Sequence, residues 1–182
     1  MTTPEAVTAA LDAGVDALGF VFAKSVRRVS PEAALELAAP ARGKVLCVAV
    51  TRHPLQRDVD EMLAVFKPDV LQTDVSDLGE LQLPAQLELL PVLRSTAHAV
   101  FPARVLFEGP ASGTGVTCDW TEAQRVARRT QVVLAGGLNP GNVAAAIAAV
   151  RPFGVDVSTG VEARPGVKSP AAIANFVSAA RV

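Results

Sequence analysis

The chain has 182 residues, with 17 Lys plus Arg against 18 Asp plus Glu, and half of its residues are apolar. That balance argues against a general nucleic-acid surface, and the apolar content against disorder. Apolar runs are short and broken, Met1-Thr2-Thr3-Pro4-Glu5 carries no leader features, and Cys47 and Cys118 are too few for a disulfide framework or a zinc site.

The resulting expectation is a reduced, cytoplasmic protein whose residues 1–182 form one domain with a sizeable core. Thr3-Pro4-Glu5 reads as a helix start, a cap followed by Pro and an acid, and Gly14 ends that helix. Asp16 to Phe22 reads as a buried parallel strand. A polar loop with Lys24, Arg27 and Arg28 leads to Ser30-Pro31-Glu32, which starts a helix through about Ala39. Val45 to Val50 is a strand, Pro54 to Phe66 a helix, and Asp69 to Gln72 a short strand. Thr73 to Gln86 reads as a loop with a short helix. Leu89 to Leu93 reads as a strand interrupted by Pro91. Ser95 to Ala103 is too short for a crossover helix, so one turn or none is expected.

Arg104 to Phe107 is a strand with Glu108 at its C-terminal end. Gly109 to Asp119 is a loop, and Thr121 to Arg129 a helix. Val132 to Leu134, Pro140 to Val150, Val155 to Val157 and Ser169 to Ala180 complete the alternation as strand, helix, strand and helix. Such a βα alternation implies a parallel sheet covered by helices.

The stretch Val132 to Glu162 organises the rest. Its two strands each deliver a turn of small residues, Gly136-Gly137 and Ser158-Thr159-Gly160. Two turns rich in free backbone N–H groups, side by side, suit a phosphate dianion. This is the arrangement expected after strands 7 and 8 of a (β/α)8 barrel. A Gly-Gly turn alone is a weak signal, because glycine is the default residue of tight turns. Seven strands are readable rather than eight, and the chain opens on a helix, so strand 1 is expected to be missing.

Asp16-Ala17-Leu18-Gly19-Phe20-Val21-Phe22, Lys24-Ser25-x-Arg27 and Val29-Ser30-Pro31 resemble the phosphoribosylanthranilate isomerases of tryptophan biosynthesis. So do Gly113-Thr114-Gly115 with Asp119-Trp120, and Leu134-Ala135-Gly136-Gly137-Leu138-Asn139-Pro140. The run Gly154 to Glu162 with Pro165-Gly166-Val167-Lys168 completes a resemblance over nearly the whole chain. It implies an α/β fold, a (β/α)8 TIM-type barrel, and an Amadori rearrangement of N-(5-phosphoribosyl)anthranilate to an aminoketose. It implies no metal and no organic cofactor. The implied partner is a small phosphorylated sugar, not nucleic acid or membrane; oligomeric state is left open.

The chemistry asks for an acid at the ribose ring oxygen and a base at the sugar C2 proton. By the resemblance, Glu108 stands where the family has its acid, an Asp. The extra methylene changes its reach by about 1.5 Å. The family's base is a Cys in a Cys-Gly pair before the first helix; Cys47 and Cys118 do not match it and read as small buried hydrophobes. The expectation is an upstream strand carrying that pair. Arg27 matches an arginine on the anthranilate carboxylate, and Asp156 a carboxylate facing the substrate amine. Gly136, Gly137, Thr159 and Gly160 match the phosphate cradle. His53 and His98 match nothing and read as surface residues; the loop around Gln72-Thr73-Asp74 departs from the family's Gln-Leu-His-Gly.

The leading reading is therefore this isomerase. The alternative is a catalytically impaired phosphate-sugar binding homologue without the general base. A histidine-pathway aminoaldose isomerase ranks last, because only one glycine-rich cradle is readable.

Overall fold

Strands and helices alternate through the computed structural model, which describes residues 1–95, 101–109 and 116–181. Seven parallel strands lie in chain order in one sheet: β1 (Ala17–Val21), β2 (Leu46–Val50), β3 (Val70–Asp74), β4 (Glu88–Leu93), β5 (Arg104–Phe107), β6 (Gln131–Leu134) and β7 (Gly154–Val155). The helices are α1 (Pro4–Asp12), α2 (Pro31–Ala38), α3 (Gln56–Val65), α4 (Trp120–Ala127), α5 (Val143–Val150) and α6 (Pro170–Ala180). A small antiparallel hairpin, β8 (Glu162–Arg164) and β9 (Val167–Lys168), follows β7. Among the described residues β1 and β7 do not pair with each other, so both are sheet edges. The helices bridge that gap on the outside, where α1 packs against α6. The amino group of Met1 meets the carbonyl of Gly19 on β1.

Local chemistry sets the helix starts. The hydroxyls of Thr3, Ser30 and Ser169 accept from the amides of Ala6, Ala33 and Ala172, each with Pro in the first helical position. The Asp119 carboxylate accepts from Thr121 and Glu122 to start α4.

Alternation along the strands divides the sheet into two faces. One face carries Leu18, Phe20, Cys47, Ala49, Leu71, Leu93, Phe107, Val132 and Leu134, buried under the helices. The other carries a separate buried cluster of Val92, Leu106 and Ala135, flanked by Leu90 and Val133. This inner face lines the lumen, and toward β1 and β2 it is open: Leu46 is 42% exposed.

Several boundaries differ from expectation. β3 runs two residues further than Gln72, because Thr73 and Asp74 pair with Pro91 and Val92 of β4. Pro91 does not interrupt β4: the β5 pairing begins only at Val92, so the missing N–H of Pro91 falls where no β5 partner waits. α5 starts at Val143 rather than Pro140. Side-chain bonds from the Gly141 amide to Asn139 Oδ1 and from the Asn139 amide to Asn142 Oδ1 hold residues 139–142 in a turn instead. β7 is two residues long, although the Asp156 amide still donates to the Leu134 carbonyl. The expectations for Ser95 to Ala103, for Gly113-Thr114-Gly115 and for His98 fall wholly or partly outside the described residues.

Candidate active site at the strand C-termini

All the parallel strands point their C-terminal ends the same way, so the segments that follow them share one face. The Gly136-Gly137 turn follows β6, with φ of 87° and 66°. Successive residues of that hand turn backbone amides toward a common side. Neither position tolerates a side chain. A Cβ on Gly137 would lie 2.4 Å from the Thr117 amide nitrogen, because the segment through Val116-Thr117 crosses directly over it.

The second turn, a 3-10 turn at Thr159–Val161, follows β7 and lies against the first. A Cβ on Gly160 would stand 1.9 Å from the Leu138 carbonyl oxygen and 2.9 Å from Asn139 Cβ. Only glycine permits that approach. Among the described residues, no acceptor takes the N–H of Gly136, Gly137 or Gly160. Lys168 Nζ donates to the Ser158 carbonyl at 2.7 Å and to its Oγ at 3.2 Å. Since C=O and N–H of one planar peptide point in opposite directions, this hold also aims the Thr159 amide.

Arg27, in the loop after β1, meets Glu162 of β8 in a bidentate pair of 2.6 and 2.9 Å, and its Nη2 reaches Thr159 Oγ1 at 3.3 Å. Lys168 Nζ sits 3.1 Å from the same Glu162 carboxylate, whose side chain is only 3% exposed. Burial alone would raise the Glu162 carboxyl, but the Arg27 hydrogen bonds and the Lys168 charge outweigh it and hold it at about 2. The arginine expected to receive a ligand carboxylate is thus already fixed by a protein carboxylate. Sequence reading assigned no role to Glu162 or Lys168, although both lie within the quoted motifs.

Asp156 lies on the inner face, since Val133 pairs with Gly154, two residues before it. Water reaches its side chain, yet desolvation by the surrounding protein moves the carboxyl above the ordinary range, against the pull of Lys168.

Glu108 follows β5. Its amide donates to the Leu93 carbonyl at 3.1 Å, and its Oε1 lies 2.8 Å from Nη1 of Arg94, the residue after β4. The contact is an ion pair. Arg94 donates from Nε and Nη2 to Asp74 Oδ1 at 3.1 and 2.7 Å. Asp74 also faces Arg52 Nε at 3.7 Å and His53 Nε2 at 3.6 Å. His53 is exposed, as expected, but it is not idle: Nδ1 lies 2.7 Å from Asp77 Oδ1, and its amide donates to Asp77 Oδ2. Ligand atoms of His53, Asp74 and Asp77 fall within 4.8 Å of one another. Arginines already balance Asp74, and Thr73 and His53 already bond Asp77, so these carboxylates are not waiting for a cation. Sequence reading missed Arg94 and Asp74. The available signal was a charge closing each apolar strand, in Leu-Pro-Val-Leu-Arg and Val-Leu-Gln-Thr-Asp.

Both thiols are buried, as expected. Cys118 Sγ donates to the Ala135 carbonyl at 3.1 Å, and burial pushes its thiol up to about 11. Burial also raises Cys47, which sits under the helices on the outer face. Neither is a base at neutral pH.

The family model for N-(5'-phosphoribosyl)anthranilate (PRA) isomerase matches residues 1–179. A relative from Rhizobium etli named N-(5'-phosphoribosyl)anthranilate isomerase is 38% identical, over 98% of this chain and 90% of its own length. The phosphoribosyl anthranilate isomerase of Thermus thermophilus superposes with a TM-score of 0.84 at 26% identity, over 98% of this chain and 94% of that one. A phosphoribosyl anthranilate isomerase crystallised with reduced 1-(o-carboxyphenylamino)-1-deoxyribulose 5-phosphate gives 0.79 at 28% identity, over 100% and 95%.

Proposed function

The chain belongs to the N-(5'-phosphoribosyl)anthranilate isomerase family, and from that premise we propose how its residues serve the reaction. It is an isomerase of tryptophan biosynthesis on a TIM-type barrel fold. It converts N-(5'-phosphoribosyl)anthranilate to the 1-deoxyribulose 5-phosphate aminoketose. The substrate is a small phosphorylated sugar, as in the relative that holds a reduced product analogue.

In this reading residues 1–182 work as one barrel domain in the cytoplasm. Among the described residues no helix is long and apolar enough to cross a membrane. The amides of Gly136, Gly137, Thr159 and Gly160 hold the 5'-phosphate. Arg27, fixed by Glu162, offers its remaining guanidinium edge to the anthranilate carboxylate. Asp156, with its raised carboxyl, meets the anthranilate amine across the lumen. Glu108 delivers a proton to the ribose ring oxygen, opening the ring to an iminium ion. Removal of the C2 proton then gives the enol, which relaxes to the ketone. The base for that step is not among the groups named here: neither Cys47 nor Cys118 matches it, and both are buried thiols of raised pKa.

The observation that supports this most is the shared inner face. Glu108, after β5, and Asp156, after β7, fall on the lumen side at the same end of the sheet as the two glycine turns. The test is turnover of N-(5'-phosphoribosyl)anthranilate, followed by chromatography of the product, beside calorimetric titration with the reduced analogue. Turnover supports the isomerase. Tight analogue binding without turnover supports the impaired homologue, and no binding of either overturns both.

A further inference from the structure

The diverged segment at Gln72-Thr73-Asp74 has a place in this site. The geometry points to Arg94, anchored by Asp74, as the positioning residue of Glu108, fixing where the longer carboxylate ends. The inference rests on the reading of Glu108 as the acid.

Register places the three groups together. Leu93 pairs with Phe107 and the Glu108 amide bonds the Leu93 carbonyl, so Arg94 and Glu108 are next neighbours in the ladder. Val92 pairs with both Asp74 and Leu106, and Val92 and Leu106 pack in the lumen cluster. Asp74, Arg94 and Glu108 therefore point to the same inner face, Arg94 in the middle. Their side chains are 9%, 22% and 14% exposed, in that order.

The guanidinium is held on two sides. Nε and Nη2 fork onto Asp74 Oδ1, and Nη1 faces Glu108 Oε1 at 2.8 Å. Asp74 in turn lies 3.7 Å from Arg52 Nε and 3.6 Å from His53 Nε2. A rigid, planar donor fastened at its back presents a fixed edge at its front. A glutamate needs that more than an aspartate does. It has one more rotatable bond, and a free side chain of that length samples positions more than an ångström apart. Productive geometry at a reacting group tolerates about 0.5 Å. Two carboxylates, Asp74 and Glu108, share Arg94, so the acid keeps a partner without resting beside an unbalanced positive charge.

Among the described residues, the charged and titratable groups set around Glu108 include Arg94 and, behind it, Asp74, Arg52 and His53, with the neutral Cys118 thiol also near. Arg94 favours the ionised form of Glu108, so its loss raises the pH at which Glu108 titrates.

The experiment compares the full chain with Arg94→Met, Arg94→Lys, Asp74→Asn and Glu108→Gln. Carbon-detected NMR reads the Glu108 carboxyl titration and its side-chain couplings without needing turnover. In the unmodified chain the couplings report one rotamer. In Arg94→Met they average, and the titration moves up by about one pH unit. Arg94→Lys restores the titration more than the couplings, and Asp74→Asn loosens the couplings with the charge of Arg94 still present. Turnover then falls about 10-fold or more in kcat with KM changed less than about 3-fold, and the alkaline limb of its pH profile moves up. Unchanged couplings and titration in Arg94→Met, or in Asp74→Asn should the first variant not fold, overturn the inference. Full turnover in Glu108→Gln overturns the acid reading instead, whatever the NMR shows for Arg94.

Discussion

The two halves of the strand-end face are built in opposite ways. After β6 and β7 the groups proposed to hold the phosphate are backbone amides, and glycines keep side chains out of their way, with Asp156 the titratable exception. After β3, β4 and β5 the backbone is ordinary ladder and the working groups are the charged tips of Asp74, Arg94 and Glu108. In the proposed reading the first half fixes an anion through amides that do not titrate and have no rotamers to lose. The second, in that reading, handles a proton, which requires groups that titrate and therefore need partners to hold their position.

That contrast can be broken one side at a time. The largest effect is expected from Glu108→Gln, which removes the transferable proton and keeps the shape. Turnover should fall by roughly 10²–10⁴-fold, while calorimetry with the reduced product analogue changes little. Gly160→Ala should do the reverse. Its Cβ would overlap the Leu138 carbonyl, parting the two turns, so analogue binding itself is lost; overpacking costs about 1–3 kcal/mol of stability, seen in denaturant melts. If both variants lost binding equally, the two halves would not be separable.

The third effect is on the Arg27–Glu162–Lys168 cluster, which ties the loop after β1 to the hairpin after β7. Glu162→Gln leaves two buried cations short of a partner and should cost on the order of 3 kcal/mol. The pH dependence has a definite sign. The folded-state carboxyl sits at about 2, below its ordinary value of 4.5, so its contribution is full above about pH 4.5 and is lost as pH falls toward 2. Acid unfolding of Glu162→Gln should show a correspondingly shallower dependence in that window. The smallest effect is expected from Cys118→Ala. A thiol held up at about 11 should resist alkylation at pH 8, and its loss should cost about 1 kcal/mol with turnover nearly unchanged.

The same contrast explains what could be read from the chain alone. The backbone half is local: Gly136-Gly137 and Ser158-Thr159-Gly160 are contiguous words, and glycine at a strand end carries its reason with it. The alternation of strands and helices was legible likewise, because each element is set by nearby caps and periodicity. The side-chain half is not local. Asp74, Arg94 and Glu108 come from three strands and meet only through register, which no short window of sequence contains. Glu108 could be read by its strand-end position; its partners could not. Arg27 shows the same limit, since its bond to Glu162 spans 135 residues. Pro91 misled for a related reason. Its cost depends on whether β5 pairs at that point, and it does not.

The most direct measurement is a crystal structure of the chain with reduced 1-(o-carboxyphenylamino)-1-deoxyribulose 5-phosphate. The account predicts the phosphate about 3 Å from the amides of Gly137 and Gly160, the carboxylate on Arg27, and the sugar end toward Glu108. A phosphate resting instead on Arg52 and Arg94, with the glycine turns empty, would contradict it.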